Sequence, residues 1–370
     1  MKARLRTIVG PVMAVALFAL AVRLLYRESQ KVTWDDFVAG VTGVDISYLV
    51  IAAVLVSLNY GLLTCYDMLA LRYVRRPLPL RRVMLAGFLG FALGNNLGTL
   101  LAAAPIRYRF YHRWGLSHGQ IMAVMTALAL TFWSGLATLG GIVLVIAPIE
   151  LPDNVALPFG TRTLGFLLLG VAIAYAVLCS IWRTPKRIGS IQFRLPAPGL
   201  AGTQASIAAV DLLISATTLY LVLPSEAVVP FSSVLAAFLV AITVSILTQV
   251  PGGLGVLELI LWTLLKDTVG ESLFASVFLF RLIYYIIPLL FGMVTLMGHE
   301  IYSGAVEARI DRERESAGTV SPSTASTEAS ADLDNTVTPD VDADDRSKPS
   351  SRVEDNADKL IAQPTRNPTS

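Results

Sequence analysis

Long apolar runs, separated by short charged or proline-containing connections, fill the chain from its eighth residue to about residue 298. Eight apolar segments can be marked out: 8–26, 46–70, 83–104, 121–147, 163–182, 204–223, 231–265 and 273–297. A helix needs roughly 20 apolar residues to cross a bilayer, and within it the backbone must satisfy its own hydrogen bonds. The pattern therefore predicts an all-α integral membrane protein that crosses several times. The first segment follows Lys2, Arg4 and Arg6 as in a signal peptide, but it is too long for one and has no small-residue cleavage site, so it reads as a span. After a short amphipathic extension, 299–316, the sequence turns to Ser, Thr, Asp, Asn and Pro; 317–370 is predicted to be a disordered cytoplasmic tail.

Two segments resist a simple crossing. The connection RYVRRPLPLRR (72–82) holds five arginines, 105–119 holds three and no acid, and RTPKRIGSIQFR (183–194) holds four basic residues. The connections 148–160 and 223–230 hold acids and no basic residue. The positive-inside rule puts the first three in the cytoplasm and the last two outside. With 72–82 and 105–119 on one side, 83–104 must enter and return, and GNNLG (94–98) supplies the break. The same accounting makes 231–265 a second hairpin, broken at PGGLG (251–255). The prediction is six full transmembrane helices and two re-entrant helical hairpins in the cell membrane, with both termini cytoplasmic.

A shift of 157 positions lays GNNLG on PGGLG, and the first, second and fourth segments on 163–182, 204–223 and 273–297. The charges do not follow, since the arginine-rich 72–82 falls on the uncharged 229–239. That combination predicts inverted repeats, one over 8–147 and one over 163–297, with polar sites at their interface.

Composition adds limits. The chain is 54% hydrophobic and 15% charged, and its net charge of +2 divides into +9 for 1–298 (21 basic against 12 acidic residues) and −7 for 299–370. The basic membrane part suits anionic headgroups, and nothing in it points to nucleic acid. Cys65 and Cys179 both lie in apolar segments, which argues against a disulfide framework or a cysteine metal site. Phosphate-loop, dinucleotide-binding, zinc-protease and nucleophile-elbow motifs do not occur, and no cofactor is predicted.

The candidate chemistry lies at the breaks. Pro251 removes an amide and Gly252 and Gly253 release the backbone, beside Gln249; Asn95 and Asn96 stand at the matching place in the first half. Such breaks place helix ends inside the protein, where they attract ions; a kink that lets helices pack closely is the plainer alternative. Glu258 follows the second break, and Arg281, inside the last apolar segment, is its obvious partner. An intramembrane charge of this kind marks either an ion pair or a substrate or proton site. Tyr284 and Tyr285 either line the same cavity or anchor at the interface. In PIRYRFYHRWGL (105–116), Arg107 and Tyr111 share a face if the stretch is helical, and with Arg109 they suit a phosphate headgroup, although the group also reads as a cytoplasmic positive cluster. Asn59, Asp67 and Asp211 are further intramembrane polar residues, which the 157-residue shift does not bring into register.

The runs GNNLGTLLAAAPIRYRFYHRWGLS (94–117), PGGLGVLE (251–258) and RLIYYIIPLLFG (281–292) resemble the lysylphosphatidylglycerol synthase/flippase transmembrane family over about 8–298. The resemblance implies a membrane region that moves an aminoacylated phospholipid between leaflets, with the family's C-terminal synthase domain replaced by the tail. It implies a transporter rather than an enzyme, with Arg107, Arg109, Tyr111, Glu258, Arg281 and Tyr284 as headgroup or gating residues. The expected partners are membrane phospholipids with anionic or aminoacylated headgroups, and either a second copy of the chain or a separate lipid-synthesising enzyme. Two other readings stay open: a transferase acting on a lipid-linked donor with Glu258 or Asp67 as base, and a non-catalytic membrane scaffold.

Overall fold

The computed structural model describes residues 34–149, 160–182, 186–188, 191–193, 195–225 and 227–318. The first predicted span, 8–26, and most of the predicted tail lie outside them. Of the described residues, those up to 308 belong to one compact unit and 309–318, which are helical, to a second. In chain order the helices are α1 (Trp34–Thr42), α2 (Ile46–Tyr73), α3 (Leu80–Leu97), α4 (Ala104–Arg113), α5 (His118–Ile146), α6 (Thr161–Ile181), α7 (Pro198–Leu221), α8 (Phe231–Leu247), α9 (Val256–Val269), α10 (Leu273–Arg281) and α11 (Ile287–Gly318).

Helices α2, α5, α6 and α7, and the run Leu273–Tyr302, are long and apolar enough to cross a membrane. They match five of the six full spans predicted, and the chain is a multi-pass integral membrane protein. Large apolar side chains such as Leu167, Val171, Phe291 and Val294 stand exposed on these helices, an arrangement suited to hydrocarbon and costly in water. Inside, Tyr66, Leu89, Tyr111, Leu219, Phe238, Leu257 and Phe280 are buried almost completely and join α2, α3, α4, α7, α8, α9 and α10 in one core.

Local chemistry sets the helix ends. Asp45 caps α2 by accepting the Ser47 backbone N–H at 2.8 Å, a bond that holds its carboxyl below the ordinary carboxylate range. Ser117 and Gln120 close a reciprocal capping box at the start of α5. The basic connection after α6 departs from the all-helical expectation: Lys186–Ile188 (β1) and Ile191–Phe193 (β2) pair antiparallel, with Arg187 opposite Gln192.

The two segments that the charge pattern set apart are each split. After α3 the chain turns at Gly98 (φ +91°), passes through a π-helical stretch, Thr99–Ala103, and continues as α4. After α8 it turns at Gln249 and through the tight turn Pro251–Gly253 before α9. A second π-helical stretch, Leu282–Ile286, joins α10 to α11. Each π stretch precedes a proline, Pro105 or Pro288. A proline ring crowds the carbonyl four residues back, here Leu101 or Tyr284, at the centre of each stretch, and the wider turn gives that carbonyl room.

Candidate functional site

Three buried polar centres occupy the core. In the first, Arg107 of α4 meets Asp67 of α2 as a two-pronged pair: Nε donates to Oδ1 and Nη2 to Oδ2, each at 3.0 Å. The Tyr111 hydroxyl, one turn along α4, donates to the same Oδ1. The guanidinium lies 4.4 Å from the centre of the Phe91 ring. Gly90 on α3 makes the site possible, because a Cβ there would fall 2.5 Å from the Arg107 Cζ. Asp67 and Arg107 have side chains 0% and 4% exposed. Burial this deep requires a matched counter-charge, and the fork geometry of arginine supplies it. The predicted shared face of Arg107 and Tyr111 is present, but it points inward and not to a cytoplasmic surface.

In the second centre, Arg281 at the end of α10 donates through Nε to Glu258 on the first turn of α9. Its two remaining nitrogens reach the carbonyls of Gly252, at 2.7 Å, and Gly253, at 3.0 Å. Those carbonyls are free because the chain there is a turn and not a helix, with Gly252 at φ +63°. The guanidinium also lies 4.7 Å from the Tyr285 ring centre. This pair is less enclosed: the Glu258 side chain is 20% exposed, yet its Oε2 is buried without a partner. Gly252 also touches the other break, since a Cβ on it would fall 2.5 Å from the Asn96 carbonyl oxygen. Asn96 in turn donates its amide to the Tyr285 carbonyl at 3.1 Å.

The third centre surrounds Asp211 on α7. Its Oδ1 accepts the Asn59 amide at 2.7 Å and its Oδ2 the Tyr66 hydroxyl at 2.8 Å. Asn59 also donates to the Tyr284 hydroxyl at 2.9 Å, which lies 2.8 Å from Ser215 Oγ. Tyr60 donates to the Tyr284 carbonyl at 3.3 Å, and Asn95 lies near the Tyr60 side chain.

The predicted candidates therefore divide among the centres. Arg107 and Tyr111 fall in the first, Asn96, Gly252, Gly253, Glu258 and Arg281 in or against the second, and Tyr284, with Asn95 beside it, in the third. Pro251 shapes the turn but is itself exposed. Gln249 is turned outward, its amide donating to the Ile246 carbonyl. Arg109, 59% exposed, pairs with Glu300 on α11 at 2.6 Å. The first two centres are linked through α3, where Gly90 walls one and Asn96 touches the other. Six residues separate those contacts, roughly 9 Å along a helix. Asn59 and Asp211 had drawn notice only as polar residues in apolar runs, and Asp67 also as a possible base; their partners lie on other helices, and the cost of burying a polar or charged group without a partner was the one signal pointing to them. Among the described residues no group of three or more His, Cys, Asp or Glu side chains could hold a metal.

The profile of the lysylphosphatidylglycerol synthase TM region matches residues 11–292. The chain belongs to this family. The lysylphosphatidylglycerol synthase family match covers its transmembrane region, so membership assigns the chain no synthase chemistry. Similar proteins include the uncharacterized protein slr0712 of Synechocystis sp., 31% identical over 309 residues, 83% of this chain and 96% of that one. The inner membrane protein YbhN of Escherichia coli is 30% identical over 281 residues, 75% of this chain and 88% of its own. A phosphatidylglycerol lysyltransferase of Staphylococcus haemolyticus is 23% identical over 302 residues, 80% of this chain but only 34% of its own length. The similarity to the lysyltransferase thus spans about a third of that protein.

Proposed function

We propose that the chain is a lipid flippase or related lipid transporter, moving a phospholipid or lipid-linked headgroup across the cell membrane past the contact between its two helix breaks, with the lipid tails left in the bilayer. Arg281 carries this reading. Its guanidinium binds one carboxylate and two carbonyls freed by a broken helix, beside a Glu258 that is partly open. A phosphate presents the same acceptor geometry as the Glu258 carboxylate, so one can replace the other without leaving the arginine unpaired. An ammonium on an aminoacylated headgroup would find its acceptor in Glu258 Oε2, which has no partner in the protein.

In this reading 83–104 and 231–265 are re-entrant hairpins, and 8–147 and 163–297 are inverted repeats that meet at GNNLG and PGGLG. Both termini face the cytoplasm, 299–316 is an extension of the membrane domain, and 317–370 is its tail. The support is the sidedness of the arginine-rich connections, the common 157-residue offset of the breaks, and the contact of Gly252 with Asn96. The lipid partner would carry an anionic or aminoacylated headgroup, supplied by a separate enzyme. A homodimer is the alternative partner expected. The kinship with lysyltransferases supports the aminoacylated class, and the similarity to proteins without that name leaves other headgroups within reach.

The test is reconstitution into liposomes holding headgroup-labelled phosphatidylglycerol, lysylphosphatidylglycerol or phosphatidylethanolamine, with a membrane-impermeant quencher outside. Label from the inner leaflet should become quenchable for at least one lipid, and Arg281→Ala should abolish it. Absence of movement for anionic, cationic and zwitterionic lipids alike would overturn the proposal in favour of a scaffold; a chemically altered lipid would favour a transferase.

A further inference from the structure

The headgroup pathway leaves Asp211 without a task, and its surroundings differ from those of the other buried acids. Asp67 and Glu258 each face an arginine, whereas Asp211 has no cation within ion-pair distance among the described residues. It is 6% exposed and held only by neutral donors, Asn59 and Tyr66. The titratable groups turned toward it are phenols: Tyr60 and Tyr66 of α2, and Tyr284 and Tyr285 between α10 and α11. Most other charged and titratable groups of the packed elements are engaged elsewhere, and Cys65 and Arg72 of α2 make no hydrogen bond or ion pair with Asp211. On α2, Asp67 pairs with Arg107; on α5, His118 meets Tyr108; on α6, Arg162 bonds the Val145 carbonyl and Tyr175 donates to Gln204. On α10, Arg281 holds Glu258, and α8 carries no charged residue. A carboxylate buried among neutral groups is costly unless it can take up a proton.

The hydrogen-bond network offers a route to that change. With Asp211 ionised, Tyr66 donates to Oδ2, and Asn59 donates to Oδ1 and to the Tyr284 hydroxyl. Tyr284 can then donate to Ser215, which donates to the Asp211 backbone carbonyl at 2.9 Å. Every donor is used, and one buried acceptor is left over: Asn59 Oδ1. A protonated Asp211 becomes a donor and needs such an acceptor. Turning the Asn59 amide over brings Oδ1 onto the new proton and onto the Tyr284 hydroxyl; Ser215 then donates to Tyr284 in place of the Asp211 carbonyl, and the Asn59 NH2 moves to the buried position that Oδ1 held without a partner. The heavy atoms of the two forms superimpose, because amide oxygen and nitrogen differ only by the partners they satisfy.

We propose that Asp211 is a reversible proton-binding site, with Asn59 as its switching partner and Tyr284 as the residue that passes its state on to the Arg281 centre. Tyr284 adjoins Tyr285, whose ring lies against the Arg281 guanidinium and whose carbonyl receives the Asn96 amide. Proton uptake at Asp211 thus reaches both helix breaks through a π-helical segment, a geometry recurrent at functional sites. This use of the proton rests on the transport reading, but the proton site does not.

The full chain in lipid nanodiscs, studied by infrared difference spectroscopy across pH, separates the two. Acidification should produce a protonated-carboxyl band that is missing from Asp211→Asn. Should that variant fail to fold, Tyr66→Phe carries the test: loss of a donor to the carboxylate should move the band's midpoint upward by about one pH unit, a tenfold change in proton affinity. Identical wild-type and variant spectra, or an unmoved midpoint in Tyr66→Phe, would overturn the proton site, and a band that sodium titrates away would make it a sodium site instead. In the liposome assay an imposed pH difference should speed lipid movement by wild type and leave Asp211→Asn unaffected. Equal wild-type rates with and without the gradient overturn the coupling alone. A titrating band in a protein that moves no lipid sustains the proton site and removes the transport reading.

Discussion

Arg107 and Arg281 each meet one carboxylate in the core, and the resemblance ends there. Around Arg107 both acceptor oxygens have partners: each Asp67 oxygen takes a guanidinium proton, Tyr111 adds a third donor, and glycine and phenyl surfaces close the walls. Around Arg281 the contacts are spread over a carboxylate and two turn carbonyls, Glu258 keeps an oxygen without a partner, and part of its side chain is open. Pairing of both carboxylate oxygens makes the first centre a latch that ties α4 to α2 and α3. Incomplete satisfaction makes the second one available to a visitor. The same pair of residue types thus serves position in one place and exchange in the other, according to how many hydrogen-bonding sites the surroundings leave vacant.

The sharpest way to break this contrast is to remove one partner from the latch. Arg107→Ala leaves the Asp67 carboxylate buried against apolar surface and should cost about 3–5 kcal/mol, read as a large drop in thermal midpoint in a fixed detergent. The double variant Asp67→Leu/Arg107→Met, which removes both charges, should regain most of it. A single variant no less stable than wild type would mean that the pair is not a latch.

Gly90→Ala tests the same centre from its wall and should be next in size. The added Cβ would sit 2.5 Å from a guanidinium already fixed by two bonds, so arginine or helix must shift. Overpacking of this kind costs about 1–3 kcal/mol. Measured against Arg107→Met alone, Gly90→Ala should carry no further penalty, because the flexible thioether can give way; a penalty that survives would place the clash elsewhere.

How much of this was legible beforehand follows from the range of each interaction. The helix content, the five described spans and the two broken segments were readable, because hydropathy, glycine, proline and charge act on local backbone. The Glu258–Arg281 pairing was readable too, since each is a lone charge of its sign in its apolar run. The Asp67–Arg107 pair was not: Arg107 sits in a stretch with Arg109 and Arg113 that reads as an ordinary cytoplasmic cluster, and only the packing of α4 onto α3 turns it inward. Gly90 could not be told from other helical glycines without knowing which side chain lies opposite. Asn59 and Asp211 stayed isolated because the repeat offset does not align them, and their bond depends on the crossing of α2 with α7. The β1–β2 ribbon was missed because a charge-based reading treats a connection as a topological marker with no structure of its own.

Glu258→Gln sharpens the second centre. Arg281 keeps its two carbonyls and the site is partly solvated, so the stability loss should stay below about 2 kcal/mol, less than for Arg107→Ala. Lipid movement should nevertheless fall by at least about tenfold, since an amide cannot exchange with a phosphate as a charged ligand does. A variant equally damaged in stability and translocation would erase the distinction between latch and exchange site.

The smallest effect should come from the arginine that shares a helix with Arg107 but not its surroundings. Arg109 meets Glu300 at 2.6 Å with its side chain 59% exposed. Water screens such a pair and two flexible side chains must be ordered to form it, so Arg109→Ala should cost about 0–1 kcal/mol and less still in high salt. Two residues separate it from Arg107, which turns the side chain roughly 200° around the helix axis and away from Asp67. If Arg109→Ala proved as harmful as Arg107→Ala, burial would not be what divides the two arginines, and a headgroup contact at Arg109 would become the better account of its cost.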